Sequence, residues 1–225
     1  VLRNRPRDVS LVIERLLARS GDAADRFAGR IDPTAIGVTG HSLGGFTALA
    51  MAAGHAGTAP DPRVQAIVPV AASSELLSDT ELARVRIPTL HLGGTQDTVS
   101  PIDPVTLRAF ALVHAPPRAH YRVDLDGATH SHFANVCEIG HALLELGVRP
   151  FAWPLVGARE LVAPWREACV PPAWPAERAQ RLQALFTVAF FKRTLAHERG
   201  YARFLTPAFA AAHAPEATVR RAAPR

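Results

Sequence analysis

The stretch Ile36-Gly37-Val38-Thr39-Gly40-His41-Ser42-Leu43-Gly44-Gly45 decides how the rest of the chain is read. Residues 35–39 are a short apolar run suited to a buried strand. The chain then turns sharply over residues 40–45, and residues 46–53 are good helix formers ended by Gly54. Gly40-His41-Ser42-Leu43-Gly44 therefore fits G-x-S-x-G at the one place where the pattern has a mechanism, between a strand and a helix. A serine at the tip of such a turn projects its hydroxyl into open space, which demands small neighbours two residues away on each side. Gly40 and Gly44 are read as supplying that room. The helix N-terminus behind the serine favours an oxyanion, with the backbone N–H of Leu43 as the expected first donor.

Working outward, the same alternation repeats. Upstream, Asp8 reads as an N-cap for an amphipathic helix with Val9, Val12, Ile13, Leu16 and Leu17 on one face, followed by a loop over residues 20–34. Downstream, residues 64–71 read as a strand, 75–85 as a short helix, 89–92 as a strand, 104–113 as a helix and 119–125 as the last strand, with Tyr121, Val123 and Leu125 alternating. Strands separated by helices imply a mostly parallel sheet in an α/β fold. Over about 133–175 prolines break the chain into an irregular segment, and a long helix follows over about 177–197. Residues 214–225 read as a frayed tail. The whole of 1–225 is expected to form a single domain, and there is no internal repeat.

A serine hydroxyl is a weak nucleophile unless a base takes its proton, and the base needs an acid to fix its tautomer and stabilise its cation. Both should lie at the C-terminal ends of later strands. Asp97 follows the strand at 89–92 across Gly93-Gly94-Thr95-Gln96 and is the candidate acid. Its bland alternative is an Asx turn. The rival Asp103 is better explained as a helix cap, and Asp124 and Asp126 belong to the last strand and its exit. That exit, Asp126-Gly127-Ala128-Thr129-His130-Ser131-His132, offers two histidines. His130 comes first after the small-residue turn and is the candidate base, leaving His132 to a supporting role or to the start of the next helix. Ser42, Asp97 and His130 follow one another at intervals of 55 and 33 residues, each with room for one or two strand–helix units.

Composition excludes several classes. The 225 residues are 48% hydrophobic, enough for a substantial core. The formal charge of +5 comes from scattered arginines, Lys192 being the only lysine, so no stripe marks a nucleic-acid surface. No apolar run approaches the roughly 20 residues needed to cross a bilayer. No histidine pair has a convincing metal spacing, and no cofactor is implied. Cys137 and Cys169 permit one disulfide, which would close a loop of about 30 residues and stabilise by roughly 3 kcal/mol. Such a bond would fit a secreted or periplasmic protein.

From the serine outward the sequence resembles α/β-hydrolases often labelled predicted dienelactone hydrolases, relatives of the platelet-activating-factor acetylhydrolase and bacterial cutinase or polyester-hydrolase groups. The segments that carry it are residues 5–10 leading into a helix, 36–45, the loop 94–97, Gly127-Ala128-Thr129-His130, and Ala189-Phe190-Phe191-Lys192-Arg193. The resemblance implies nucleophile, acid and base at the three positions already derived, acting on a small-molecule or lipid-like ester. Serine here departs from true dienelactone hydrolases, which use cysteine. In such hydrolases about four strands precede the first helix of this chain, and the loop after the third brings a second oxyanion N–H. An N-terminally incomplete sheet, with that second donor missing, is the expectation. A catalytically incomplete fragment, a hydrolase-like binding module, and a peptidase or acyltransferase with the same triad are the competing readings.

Overall fold

In the computed structural model, which describes residues 2–223, helix α1 (Arg5–Gly21) leads into β1 (Ile36–His41), α2 (Leu43–Ala53), β2 (Val64–Val70), α3 (Asp79–Arg84), β3 (Thr89–Gly94), α4 (Leu107–Leu112) and β4 (His120–Leu125). The chain continues through α5 (Val136–Glu145), α6 (Val162–Ala168), α7 (Ala176–Thr194), α8 (Pro207–His213) and β5 (Ala217–Arg221). Strands β1 to β4 are parallel and lie side by side in chain order; β5 adds antiparallel to β4. Right-handed crossovers that step one way across a sheet put their helices on a single face. That is what is seen: Phe46 and Leu49 of α2, Leu82 of α3 and Ala109 of α4 pack together with Ile13 of α1 and Ile67 of β2.

The period-two alternation of the strands sends the next side chains to the opposite face. There Val68, Val70, Leu90, Leu92, Val123 and Leu125 meet Leu182, Phe186 and Phe190 of α7. Both phenylalanine rings are fully buried, each contributing roughly 2–3 kcal/mol. The result is the expected α/β architecture, a mostly parallel sheet between helical layers. Among the described residues it has five strands.

Several local expectations are corrected. The frayed tail expected over 214–225, of which 224 and 225 lie outside the described residues, is instead largely a strand: β5 pairs with β4 from Tyr121↔Arg221 to Leu125↔Ala217, burying Ala217 and Val219. Five residues are too few for alternation to declare itself, and the pairing partner is some hundred positions away. Asp8 does not cap α1, which begins at Arg5 with Pro6 in its first turn; Asp8 instead lies inside that turn, where a negative charge suits the helix dipole. The helix expected over 75–85 is a 3₁₀ turn (Ser74–Leu76) followed by α3, which Ser78 and Glu81 close with reciprocal hydrogen bonds. Asp103 is exposed and extended and caps nothing. The proline-rich stretch is less irregular than expected, holding α5, α6 and two 3₁₀ turns. Cys137 and Cys169 are joined by a disulfide that ties the first turn of α5 to the end of α6.

Candidate active site

Ser42 sits between β1 and α2 with φ 56° and ψ −117°. A non-glycine residue held there carries strain on the order of 1–2 kcal/mol, and bonds on both sides sustain it. The Ser42 N–H extends the β1–β2 ladder to the Val70 carbonyl (2.9 Å), and the Ser42 carbonyl accepts from Phe46 (3.0 Å) and Ser73 (3.3 Å). The glycines act differently from the symmetric role expected of them. A Cβ on Gly40 would lie 2.6 Å from the backbone of Gly44, whereas one on Gly44 would meet nothing within 4 Å. The second tight position is Gly45, whose Cβ would press to 2.6 Å on Ala72. The turn thus needs glycine where the strand passes the helix and where the helix meets the end of β2. Leu43 opens α2, so its N–H has no helical carbonyl to bond.

Asp97 follows β3, its side chain wholly shielded from solvent. One oxygen, Oδ2, lies 2.8 Å from Nδ1 of His130; the other accepts the N–H groups of Val99 (2.8 Å) and Ser100 (2.7 Å). The Asx-turn reading and the catalytic-acid geometry are therefore one arrangement that uses both oxygens. Burial opposes ionisation, but the hydrogen bonds from His130 and the two N–H groups outweigh it and hold the carboxyl below its ordinary range. An ionised carboxylate only accepts, so Nδ1 of His130 carries a proton and Nε2 is the ring nitrogen left to exchange one.

The loops bearing Asp97 and His130 are welded together. Thr95 N–H donates to Leu125 (3.0 Å), Gln96 N–H to Ala128 (2.9 Å), Thr95 Oγ1 to Asp126 (2.9 Å), and Gly127 N–H to Thr95 Oγ1 (3.0 Å). The approach is so close that a Cβ on Gly94 would fall 2.2 Å from the Ala128 carbonyl oxygen. Asp126 is thereby a loop fastener. Asp124 is buried on β4 and spends its side-chain hydrogen bonds on Arg122 (2.8 Å).

The turn that carries Ser42 touches this pair through the adjacent residue: the His41 ring lies against the His130 ring, centroids 4.4 Å apart and tilted by 46°. The hydrogen bonds of the described residues include Asp97–His130 and none between Ser42 and His130. The amino-acid sequence also resembles a known protein family. It matches the PETase family model, described as PET hydrolase-like, over residues 3–147, more than half of the chain. The chain belongs to the PET hydrolase-like family. No curated protein matches it. The match takes in the serine turn, the acid loop and the histidine turn of this PET hydrolase-like chain, while α6 and α7 lie beyond it. Among the described residues no helix is long and apolar enough to cross a membrane, and no group of three or more His, Cys, Asp or Glu could hold a metal ion.

Two further histidines lie next to the candidate base, and the sequence singles out only one of them. His41 was assigned only to the variable slot of the turn, yet it is the residue that touches the His130 ring. Burial, with His130 beside it, depresses its pKa to about 4, so a neutral imidazole lies against the candidate base. No spacing rule flags it, because the contact forms only when the turn after β4 folds over the turn after β1. His132, which the sequence left to a supporting role or to the start of the next helix, lies in the 3₁₀ turn after β4. It is fully buried, with Nδ1 3.0 Å from the Thr129 N–H and Nε2 2.8 Å from the Trp174 carbonyl.

Proposed function

We propose that this PET hydrolase-like chain is a serine carboxylic-ester hydrolase working through an acyl-enzyme, with Ser42 as nucleophile, His130 as general base and Asp97 as the group that orients it. The observation that carries the reading is the buried Asp97 carboxylate, which spends one oxygen on Nδ1 of His130 and anchors the other on two backbone N–H groups. That fixes the tautomer in which Nε2 can accept a proton. In the reaction the Ser42 hydroxyl gives its proton to Nε2 as its oxygen bonds to the ester carbonyl carbon. The carbonyl oxygen, now negative, is received by the Leu43 N–H at the start of α2. His130 then returns the proton to the departing alkoxide. A water attacks the acyl-serine with the same assistance, releasing the acid and restoring the hydroxyl. Catalytic hydrogen bonds commonly close only in the substrate complex, which accommodates the open Ser42–His130 link.

Leu43 and Val99, directly beside Ser42 and Asp97, are apolar and exposed, which suits an apolar ester, polyester fragments included. The disulfide supports an oxidising compartment, periplasmic or extracellular. The test is a panel of chromogenic esters graded by acyl length, run on the protein and on Ser42→Ala. Loss of turnover on the order of 10⁶-fold is expected; hydrolysis indifferent to the substitution would refute the proposal.

A further inference from the structure

Taking His130 as the base, we propose that His132 is a positioning residue for it, and that the Cys137–Cys169 disulfide acts through His132 by fixing the strap of chain that receives its hydrogen bond. A histidine with no exposed surface is costly unless both ring nitrogens are satisfied. Both are. The Thr129 N–H can only donate, so Nδ1 is its acceptor, and the Thr129 hydroxyl lies on the same nitrogen at 2.8 Å. Nε2 then carries the hydrogen and donates it to the Trp174 carbonyl. The ring is therefore a neutral bridge of defined polarity between the residue before His130 and a segment some forty positions further on.

The residue after His130 is tied to the same segment, since the Ser131 hydroxyl donates to Glu167 at 2.8 Å. Trp174 also lays its side chain against Gly127, at the start of the turn. Residues 165–174 thus form a strap tied to the histidine turn at three points, in addition to the weld between the loops after β3 and β4. What holds the strap is the disulfide at Cys169, between Glu167 and Trp174, together with Trp165, seated so closely on α5 that a Cβ on Gly140 would lie 2.1 Å from its ring. If His132 merely filled space, an apolar ring would serve equally well. Its polarity is what registers Thr129, and with it His130, against the strap.

The test compares the protein with His132→Phe, His132→Gln, Glu167→Ala, the double variant Cys137→Ser/Cys169→Ser, and the double variant combined with His132→Phe. Kinetics use a soluble chromogenic ester, and proton NMR follows the downfield Nδ1–H signal of His130. His132→Phe is expected to lower kcat by about 10²-fold, the scale of a misplaced catalytic group, with KM nearly unchanged. His132→Gln, which keeps a donor for Trp174, should recover part of that loss, and Glu167→Ala should show a smaller fall, again in kcat. In the cysteine-free background His132→Phe should cost less than in the parent, because both changes release the same strap. Unchanged kcat in His132→Phe, or a loss confined to KM, would overturn the positioning role. Losses that simply multiply would overturn the link to the disulfide. Should His132→Phe fail to fold, His132→Gln and Glu167→Ala decide by the same criteria. The NMR signal reports the Asp97–His130 bond without reference to Ser42. A Ser42→Ala protein that still hydrolysed esters would thus sink the proposed function, while weakening of the signal in the His132 variants would still judge the clamp.

Discussion

The serine turn and the histidine turn meet at the same rim of the sheet, but they are held in opposite ways. Around Ser42 the constraints come from the turn itself and from one adjoining strand end: Gly40 against Gly44, Gly45 against Ala72, and hydrogen bonds to Val70 and Ser73. Around His130 they come from Asp97, 33 residues earlier, and through its neighbours from Glu167 and Trp174, with separations of 36 and 42. The first turn leans on a single neighbour, the end of β2, which the parallel pairing already places beside it. The second is a flexible exit from β4 made rigid by parts that fold elsewhere. A motif can therefore announce a nucleophile, whereas a base is announced only by the company it keeps.

The largest effect is expected at Asp97, the partner on which the histidine turn depends most directly. Asp97→Asn leaves an amide oxygen able to accept from Val99 and Ser100, so the loop should keep its shape. The amide nitrogen would then face Nδ1 of His130 and donate to it, moving the imidazole proton to Nε2, where a lone pair is required. Ester-hydrolysis kinetics should show kcat/KM lower by about 10⁴-fold, with a melting temperature close to that of the parent. A fall of less than about tenfold would mean that His130 does not depend on this partner.

The same contrast explains what the sequence disclosed. Strand, turn and helix around residues 36–53 were legible because periodicity, glycine and helix propensity agree within one short window. The four parallel strands followed for the same reason. Asp97 and His130 could be put forward as candidates by their place after strands, because a parallel sheet gathers the loops at its carboxyl ends on one rim. The alternation of Tyr121, Val123 and Leu125 was visible, but not that the other face of β4 buries His120, Arg122 and Asp124, with Arg122 paired to Asp124 and lying over Phe110. Nor was β5, because a pattern as short as Ala217, Val219 gains meaning only once β4 offers an edge. The strap was opaque for a kindred reason: six prolines signalled breaks but carried no information about what the pieces between them touch.

A further test separates the two turns by acid. His41 has a folded-state pKa of about 4 and His91, wholly buried, lies well below its ordinary value, in each case chiefly through desolvation. An unfolded histidine titrates near 6.5, so below that pH the unfolded chain binds more protons than the native one. The stability tied to a neutral His41 is complete above about 6.5 and is lost as pH falls towards 4, amounting to about 3 kcal/mol at most. Urea unfolding at pH 7 and pH 4.5 should show His41→Phe losing about 2–3 kcal/mol less between the two conditions than the parent does. Equal losses would show that His41 titrates freely in the fold and does not hold a neutral ring against His130.

The smallest effect expected is also the one that most directly opposes letters to structure. By pattern, Gly44 is the second glycine of the serine motif and Gly94 an ordinary loop residue. In space a methyl at 44 meets nothing, whereas at 94 it meets the Ala128 carbonyl at 2.2 Å. Ala128 cannot retreat without loosening its bond from Gln96 N–H, and with it the seam that keeps Asp97 beside His130. Gly94→Ala should therefore cost about 1–3 kcal/mol of stability, the range for overpacking, and lower kcat as well. Gly44→Ala, at the second position of α2, should leave stability within about 1 kcal/mol of the parent or raise it, because alanine is the better helix former. Thermal melts of the two variants settle the order. If Gly44→Ala proved the more damaging, the serine turn would depend on room on both sides after all, and the asymmetry drawn between Gly40 and Gly44 would be wrong.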